Sequence, residues 1–162
     1  MTKKAAAAIR LLILDVDGTL TDGRLYYGPR GEALKVFHVR DGAGIKHLNR
    51  SGIQVAVISG RSSKMVSVRC RELGVEHVVQ GVEDKAAAFE KLRRKLKIEA
   101  SESACVGDDT ADLPLMKVVK LAFAVADAHK DAIRAAHVVT SLPGGQGAVR
   151  EVCDYLLDAR KR

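Results

Sequence analysis

Carboxylates stand where two buried strands should end. Asp15 and Asp17 close the run LLILDVDGT, and Asp108 and Asp109 close ACVGDD. Ser59, Gly60 and Arg61 close QVAVISGR, and Lys85 opens a helix-like stretch after HVVQGVED. A carboxylate at the tip of a water-free strand loses hydration energy unless a cation compensates it. Asp15, Asp17 and Asp108, once brought together, cannot all stay ionised without a counter-charge. Oxygen donors with no His or Cys nearby favour Mg²⁺ over Zn²⁺.

Carboxylates, Mg²⁺, a hydroxyl and a lysine suit phosphoryl transfer, which needs an in-line nucleophile and neutralised equatorial oxygens. Asp15 is placed to attack phosphorus and become an aspartyl phosphate. Asp17 is free to protonate the leaving alkoxide and then to deprotonate the hydrolytic water. Lys85 and the backbone N–H groups around residues 16–17 and 59–60 are available to the phosphoryl oxygens.

The elements that must position these groups follow from the apolar pattern. Short runs at residues 11–16, 54–58, 77–80, 103–106, 122–125 and 137–139 read as strands. Amphipathic segments at 44–50, 64–73 and 85–96 lie between them, the last with Phe89, Leu92 and Leu96 on one stripe and Asp84 as its cap. Strand–helix alternation predicts an α/β fold, a Rossmann-like parallel sheet with right-handed crossovers and helices on both faces. In such sheets the ligand crevice lies at the carboxyl ends of the strands, where these polar residues cluster. Residues 24–39 break the pattern. They read as two extended segments around Gly28-Pro29-Arg30-Gly31, a protruding hairpin rich in Tyr, Leu, Val and Phe. A lone hairpin is marginal in water, so this one is expected to find partners in other copies of the chain or on its own domain.

The ordered set DVDGT, SGR, Lys85 and GDD resembles the four motifs of the haloacid dehalogenase-like phosphatase superfamily. The resemblance implies that Asp15 is nucleophile and metal ligand, and that Asp17 is general acid/base and gives its backbone carbonyl to the metal. It implies that Ser59 and Lys85 hold the phosphoryl group, that Asp108 completes the protein ligands to Mg²⁺, and that Asp109 and Asp112 stand behind them. Longer stretches, among them VGDDTADLPLM and GGQGAVREVCDYLL, resemble the capless members that hydrolyse the phosphate ester of an eight-carbon keto-sugar acid for lipopolysaccharide synthesis. A nine-carbon sialic-type sugar acid 9-phosphate is the competing substrate. The same resemblance implies a homotetramer in which a neighbouring subunit covers the site and a basic C-terminal tail, DARKR here, can reach it.

Several residues carry two readings. Gly60 and Arg61 are candidates for substrate binding, Arg61 equally for a surface charge. Arg40, Asp41 and Gly42 open a helix after the hairpin and are candidates for contacts to sugar hydroxyls, with Asp41 equally a cap. Asp112, before Leu113-Pro114, reads as a site residue or as a helix N-cap. A receiver-like module that stores phosphate on an Asp shares most of the set. Asp17 separates the two, because a receiver has no acid two residues beyond its acceptor.

The 162 residues suit a single domain spanning 1–162. The chain is 47% hydrophobic but only 4% aromatic, so its core is aliphatic. The net charge of +7 comes largely from Lys3, Lys4, residues 93–97 and residues 160–162. These read as solvated faces, without the aromatic interleaving of a single-strand binder, so no nucleic-acid partner is expected. Cys70, Cys105 and Cys153 have no CxxC spacing and read as free thiols. The N-terminal apolar run superficially resembles a signal peptide, but Arg10 interrupts it. With no membrane-spanning run, the expected location is the cytoplasm.

Overall fold

A computed structural model describes residues 2–161. The chain runs α1 (Thr2–Ala7), β1 (Leu11–Leu14), β2 (Tyr26–Gly28), β3 (Gly31–Leu34), α2 (Val39–Arg50), β4 (Gln54–Ser59), α3 (Lys64–Leu73) and β5 (His77–Gln80). It continues through α4 (Lys85–Leu96), β6 (Ser103–Gly107), α5 (Leu113–Val118), β7 (Leu121–Ala124), α6 (Lys130–Ala135), β8 (Val138–Val139) and α7 (Ala148–Arg160). Six strands form a parallel sheet in the order β5-β4-β1-β6-β7-β8, and β2 and β3 pair antiparallel outside it.

The sheet is buried on both faces, which explains the unbroken apolar runs of its strands. Leu12 and Leu14 of β1, Val55 and Val57 of β4 and Val106 of β6 share a core with α2, α3 and α7. Leu11 and Ile13, Ala56 and Ile58, and Cys105 face the other core, with Phe89 and Leu92 of α4 and Leu115 and Met116 of α5. The N-terminal apolar run belongs to the first core, where Ala6 and Ile9 are fully buried.

The first strand ends at Leu14, earlier than the apolar pattern suggests. The Asp15 N–H still reaches the Val106 carbonyl at 3.1 Å, but the chain then curls. The N–H groups of Thr19, Leu20 and Thr21 all converge on the Val16 carbonyl, at 3.2, 2.9 and 3.0 Å. The second hairpin strand likewise stops at Leu34, and α2 starts at Val39, five residues before the predicted segment. His38 caps α2 by accepting the Arg40 N–H at 3.2 Å. Asp84 caps α4 as its position predicts, accepting the Ala87 N–H at 2.9 Å.

The hairpin leaves Tyr27 67%, Leu34 50% and Val36 51% exposed. Arg160, in the basic tail, donates to the Ile9 carbonyl at 2.7 Å and the Ser51 carbonyl at 2.9 Å. Those carbonyls precede β1 and β4, so Arg160 is tied to the edge opposite the carboxyl ends of the strands, and Arg162 lies outside the described residues. The basic run in α4 is partly compensated, with Arg93 and Arg94 both on Glu90. All three cysteines are buried and free. Among the described residues no helix is long and apolar enough to cross a membrane.

Candidate active site

β1 lies between β4 and β6, where the strand order reverses, so the residues that follow these three strands emerge together. Asp15 follows β1 and is buried. Lys85, the first residue of α4, is buried too and donates to Asp15 Oδ1 at 2.6 Å and to Asp112 Oδ1 at 2.7 Å. Asp112 Oδ2 accepts the backbone N–H groups of Asp108 at 3.0 Å and Asp109 at 3.2 Å. Asp15, Asp108 and Asp112 each place a carboxylate oxygen within 4.8 Å of the others. Glycine permits this crowding at two positions. A Cβ on Gly18, whose φ is +91°, would lie 2.1 Å from Asp108 Oδ2, and one on Gly107 would lie 2.4 Å from Asp112 Cγ.

The electrostatics of this cluster are unbalanced. Burial, reinforced by Asp112, pushes the Asp15 carboxyl up to about 6 against the pull of Lys85. Burial, then Asp15 and Asp112, push Asp108 up to about 8. Burial alone would lower Lys85, but Asp15 and Asp112 outweigh it and hold the ammonium above its ordinary value. One ammonium does not neutralise three clustered carboxylates. An all-oxygen donor set with residual negative charge fits a hard divalent cation such as Mg²⁺. Both oxygens of Asp112 are already engaged, which leaves Asp15 and Asp108 as the better placed ligands.

The Asp17 carboxylate is engaged by the hairpin. Lys35 Nζ donates to Asp17 Oδ1 and pairs with Glu32 at 3.0 Å. Arg61 Nε lies 3.9 Å from Asp17 Oδ2, and Arg61 Nη2 donates to Glu32 Oε1 at 3.3 Å. The four side chains form a ring of alternating charge. Burial disfavours a charged Glu32, yet the Lys35 hydrogen bond and the charges of Lys35 and Arg61 hold its carboxyl below the usual range. Sequence reasoning missed both Lys35 and Glu32. The available signal was their position, as the two charges between Gly31 and His38 in an otherwise apolar stretch.

Ser59 is buried at the end of β4, and its Oγ accepts the Arg61 N–H at 3.4 Å. Gly60 is exposed on the same loop. Asp109 is exposed and accepts the Thr110 N–H at 2.6 Å, capping the short turn at residues 110–112. Asp112 precedes α5 but its side chain does not cap that helix; it turns back into the cluster. Two expected substrate contacts need correction. Asp41 is 1% exposed, and its Oδ1 accepts the Arg150 N–H at 2.8 Å in the first turn of α7. Gly42 is buried where a Cβ would meet the Arg69 guanidinium at 2.5 Å and Leu73 at 2.9 Å. Both positions are taken up by helix packing, which leaves no surface for a sugar. Arg40 is exposed on the first turn of α2.

A doubly covered parallel sheet with acidic strand ends and a buried lysine defines a class, and residues 77–150 match the profile of the haloacid dehalogenase-like hydrolase family. The chain is 54% identical, over 99% of its length and 84% of the relative's, to the 3-deoxy-D-manno-octulosonate 8-phosphate phosphatase of Salmonella typhi. The crystal structure of the Yersinia pestis enzyme of the same name superposes with a TM-score of 0.96 at 48% identity, covering 98% of this chain and 86% of that one. The Moraxella catarrhalis enzyme, solved with magnesium ion, phosphate ion and a KDO molecule, also has a TM-score of 0.96, at 41% identity over 98% of this chain and 91% of that one. The chain belongs to the 3-deoxy-D-manno-octulosonate 8-phosphate phosphatase family of haloacid dehalogenase-like hydrolases.

Proposed function

We propose that the protein is a Mg²⁺-dependent phosphatase that hydrolyses 3-deoxy-D-manno-octulosonate 8-phosphate to the free sugar acid and phosphate, in lipopolysaccharide precursor synthesis. The observation that carries the chemistry is the cluster of Asp15, Asp108 and Asp112 at the switch point of the sheet, with a buried lysine paired to Asp15 and Asp112. The substrate rests on the shared activity of the close relatives.

A carboxylate oxygen of Asp15 attacks phosphorus as the bond to the sugar oxygen breaks, and Asp17 gives that oxygen its proton. Water then attacks the aspartyl phosphate, Asp17 takes the proton of the water, and the Asp15 carboxylate is released. Ser59 and Lys85 hold the non-bridging oxygens. Held by Asp15, Asp108 and the Asp17 carbonyl, Mg²⁺ supplies positive charge to the phosphoryl oxygens. Gly60, Arg61 and Arg40, none of them buried, are the residues assigned to contacts with the sugar. The test is kcat/KM with Mg²⁺ across phosphorylated hexoses, the eight-carbon keto-sugar acid 8-phosphate and a nine-carbon sugar acid 9-phosphate. The expected result is repeated turnover with preference for the eight-carbon ester; preference for hexose phosphates overturns the assignment.

The exposed Tyr27, Leu34 and Val36 support assembly through the hairpin into a homotetramer whose neighbouring subunits cover the sites. Light scattering should give four times the chain mass, and a fully active monomer overturns this arrangement. Three free, buried cysteines suit a reducing cytoplasm.

A further inference from the structure

We infer that Lys35 is a positioning residue for the reaction: it fixes the Asp17 carboxylate in the orientation from which that group exchanges a proton with the substrate oxygen and with water. The inference rests on the proposed phosphatase reading and concerns a residue from outside the strand-end motifs.

Three observations carry it. First, the Lys35 side chain is only 2% exposed, which is unusual for lysine, and its ammonium is directed at Asp17 and Glu32. A buried ammonium requires such partners, so the hairpin places it there at a definite cost in hydration. Second, Glu32 anchors Lys35 from within the hairpin, and Arg61 closes the ring from the loop after β4. Two separate segments, the hairpin and the loop after β4, thus meet on one carboxylate. Third, Asp17 lies on the curled segment beyond β1, and its own side chain remains 22% exposed. No sheet register constrains that side chain. Lys35 on Oδ1 and Arg61 near Oδ2 supply the constraint instead.

Lys35 itself neither gives nor takes a proton. In the first step the proton passes from Asp17 to the sugar oxygen as the P–O bond to that oxygen breaks and the bond from Asp15 to phosphorus forms. In the second it passes from water to Asp17 as the water oxygen bonds to phosphorus and the Asp15 bond breaks. Misplacing Asp17 therefore harms esters whose leaving oxygen needs that proton, and spares esters whose leaving group departs as a stable anion.

The test compares Lys35→Met with the wild type on two esters, the sugar-acid 8-phosphate and p-nitrophenyl phosphate. Because kcat/KM reports events through the first irreversible step, it isolates transfer to Asp15. Lys35→Met should lower kcat/KM at least about 30-fold on the alkyl ester and less than about 3-fold on the aryl ester. The loss should appear in kcat more than in KM. Adding Lys35→Met to Asp17→Asn should cost nothing further, since both act through one carboxylate. Equal losses on the two esters, or losses that multiply with Asp17→Asn, overturn the inference. If Lys35→Met does not fold, Glu32→Gln takes its place, with the same ester dependence at smaller size expected and an equal loss on both esters overturning it. A wild type that rejects the sugar acid but hydrolyses another alkyl phosphate refutes the substrate reading alone, and the comparison then uses that ester. A wild type that turns over no ester overturns both.

Discussion

The site has two halves that are held in different ways. On the sheet side, Asp15 and Asp108 follow, and Ser59 ends, strands whose register is set by buried parallel pairing, and Lys85 follows the Asp84 cap of α4. On the hairpin side, Asp17, Glu32, Lys35 and Arg61 come from segments outside the sheet and are held to one another by charge. The first half inherits its precision from a core that tolerates little displacement. The second inherits it from ion pairs next to a hairpin whose outer surface is apolar and exposed. In the proposed reaction the nucleophile and the groups that hold the phosphoryl oxygens lie on the rigid side, and Asp17, the proposed proton carrier, lies on the side held by charge.

The sharpest way to break this division is to remove the proposed nucleophile, Asp15. Asp15→Asn should lower kcat by at least about 10³-fold, while circular dichroism and the melting profile stay those of a folded protein. Substantial residual turnover would mean that the buried cluster is only structural. Asp112→Ala probes the same half through its scaffold. It removes one of two carboxylates from a buried ammonium and leaves the N–H groups of Asp108 and Asp109 without their acceptor. The expected loss is about 3–5 kcal/mol of stability in urea unfolding, with activity falling as Lys85 and Asp108 lose their placement. A loss below about 1 kcal/mol would show that the cluster is less tightly built than its hydrogen bonds imply.

Removing the metal separates the halves by pH. Asp15 and Asp108 have folded-state values near 6 and 8, both above the ordinary aspartate value of 3.8. A carboxyl raised on folding favours the folded state while protonated, and that benefit is lost as pH rises toward and through the folded value. In EDTA the melting temperature should therefore fall between about pH 4 and pH 8. Mg²⁺ should restore it, with a larger increment at pH 8 than at pH 6 because fewer protons must then be displaced. At saturating Mg²⁺ the increment at pH 8 should be about 5–10 °C. An increment independent of pH would mean that the raised carboxyls are not the ones that bind the metal.

The same division explains what was legible in the sequence. Asp15, Ser59 and Asp108 are polar residues at the ends of apolar runs and Lys85 opens the helix that follows another, so periodicity and the strand-end rule for parallel sheets put them at one edge. The sheet, its two covered faces and α3 and α4 follow from the same periodicity. Lys35 was hidden because its neighbours Leu34, Val36 and Phe37 read as a hairpin stripe, and only the tertiary approach of Asp17 gives the charge a reason to be there. Asp112 was ambiguous because Asp before Leu-Pro is also a capping pattern, and the structure turns its side chain away from that use. The early end of β1 was hidden because Val16 is as apolar as the strand residues; its carbonyl, not its side chain, nucleates the turn.

Asp41 provides the smallest and most discriminating effect. Its residue type and its place after the hairpin suit a sugar contact, yet its carboxylate accepts the Arg150 N–H and is out of reach of solvent. Burial raises its carboxyl above the ordinary value, opposed by the Arg150 N–H, so the charge itself contributes little that an amide would lose. An asparagine keeps an oxygen for the same N–H. Asp41→Asn should thus change stability by no more than about 1 kcal/mol and leave kcat and KM within about two-fold of wild type. A ten-fold rise in KM without loss of stability would return Asp41 to the substrate site. It would also mean that the first turn of α2 rearranges when the sugar binds, which would extend the hairpin side of the site beyond the ring around Lys35.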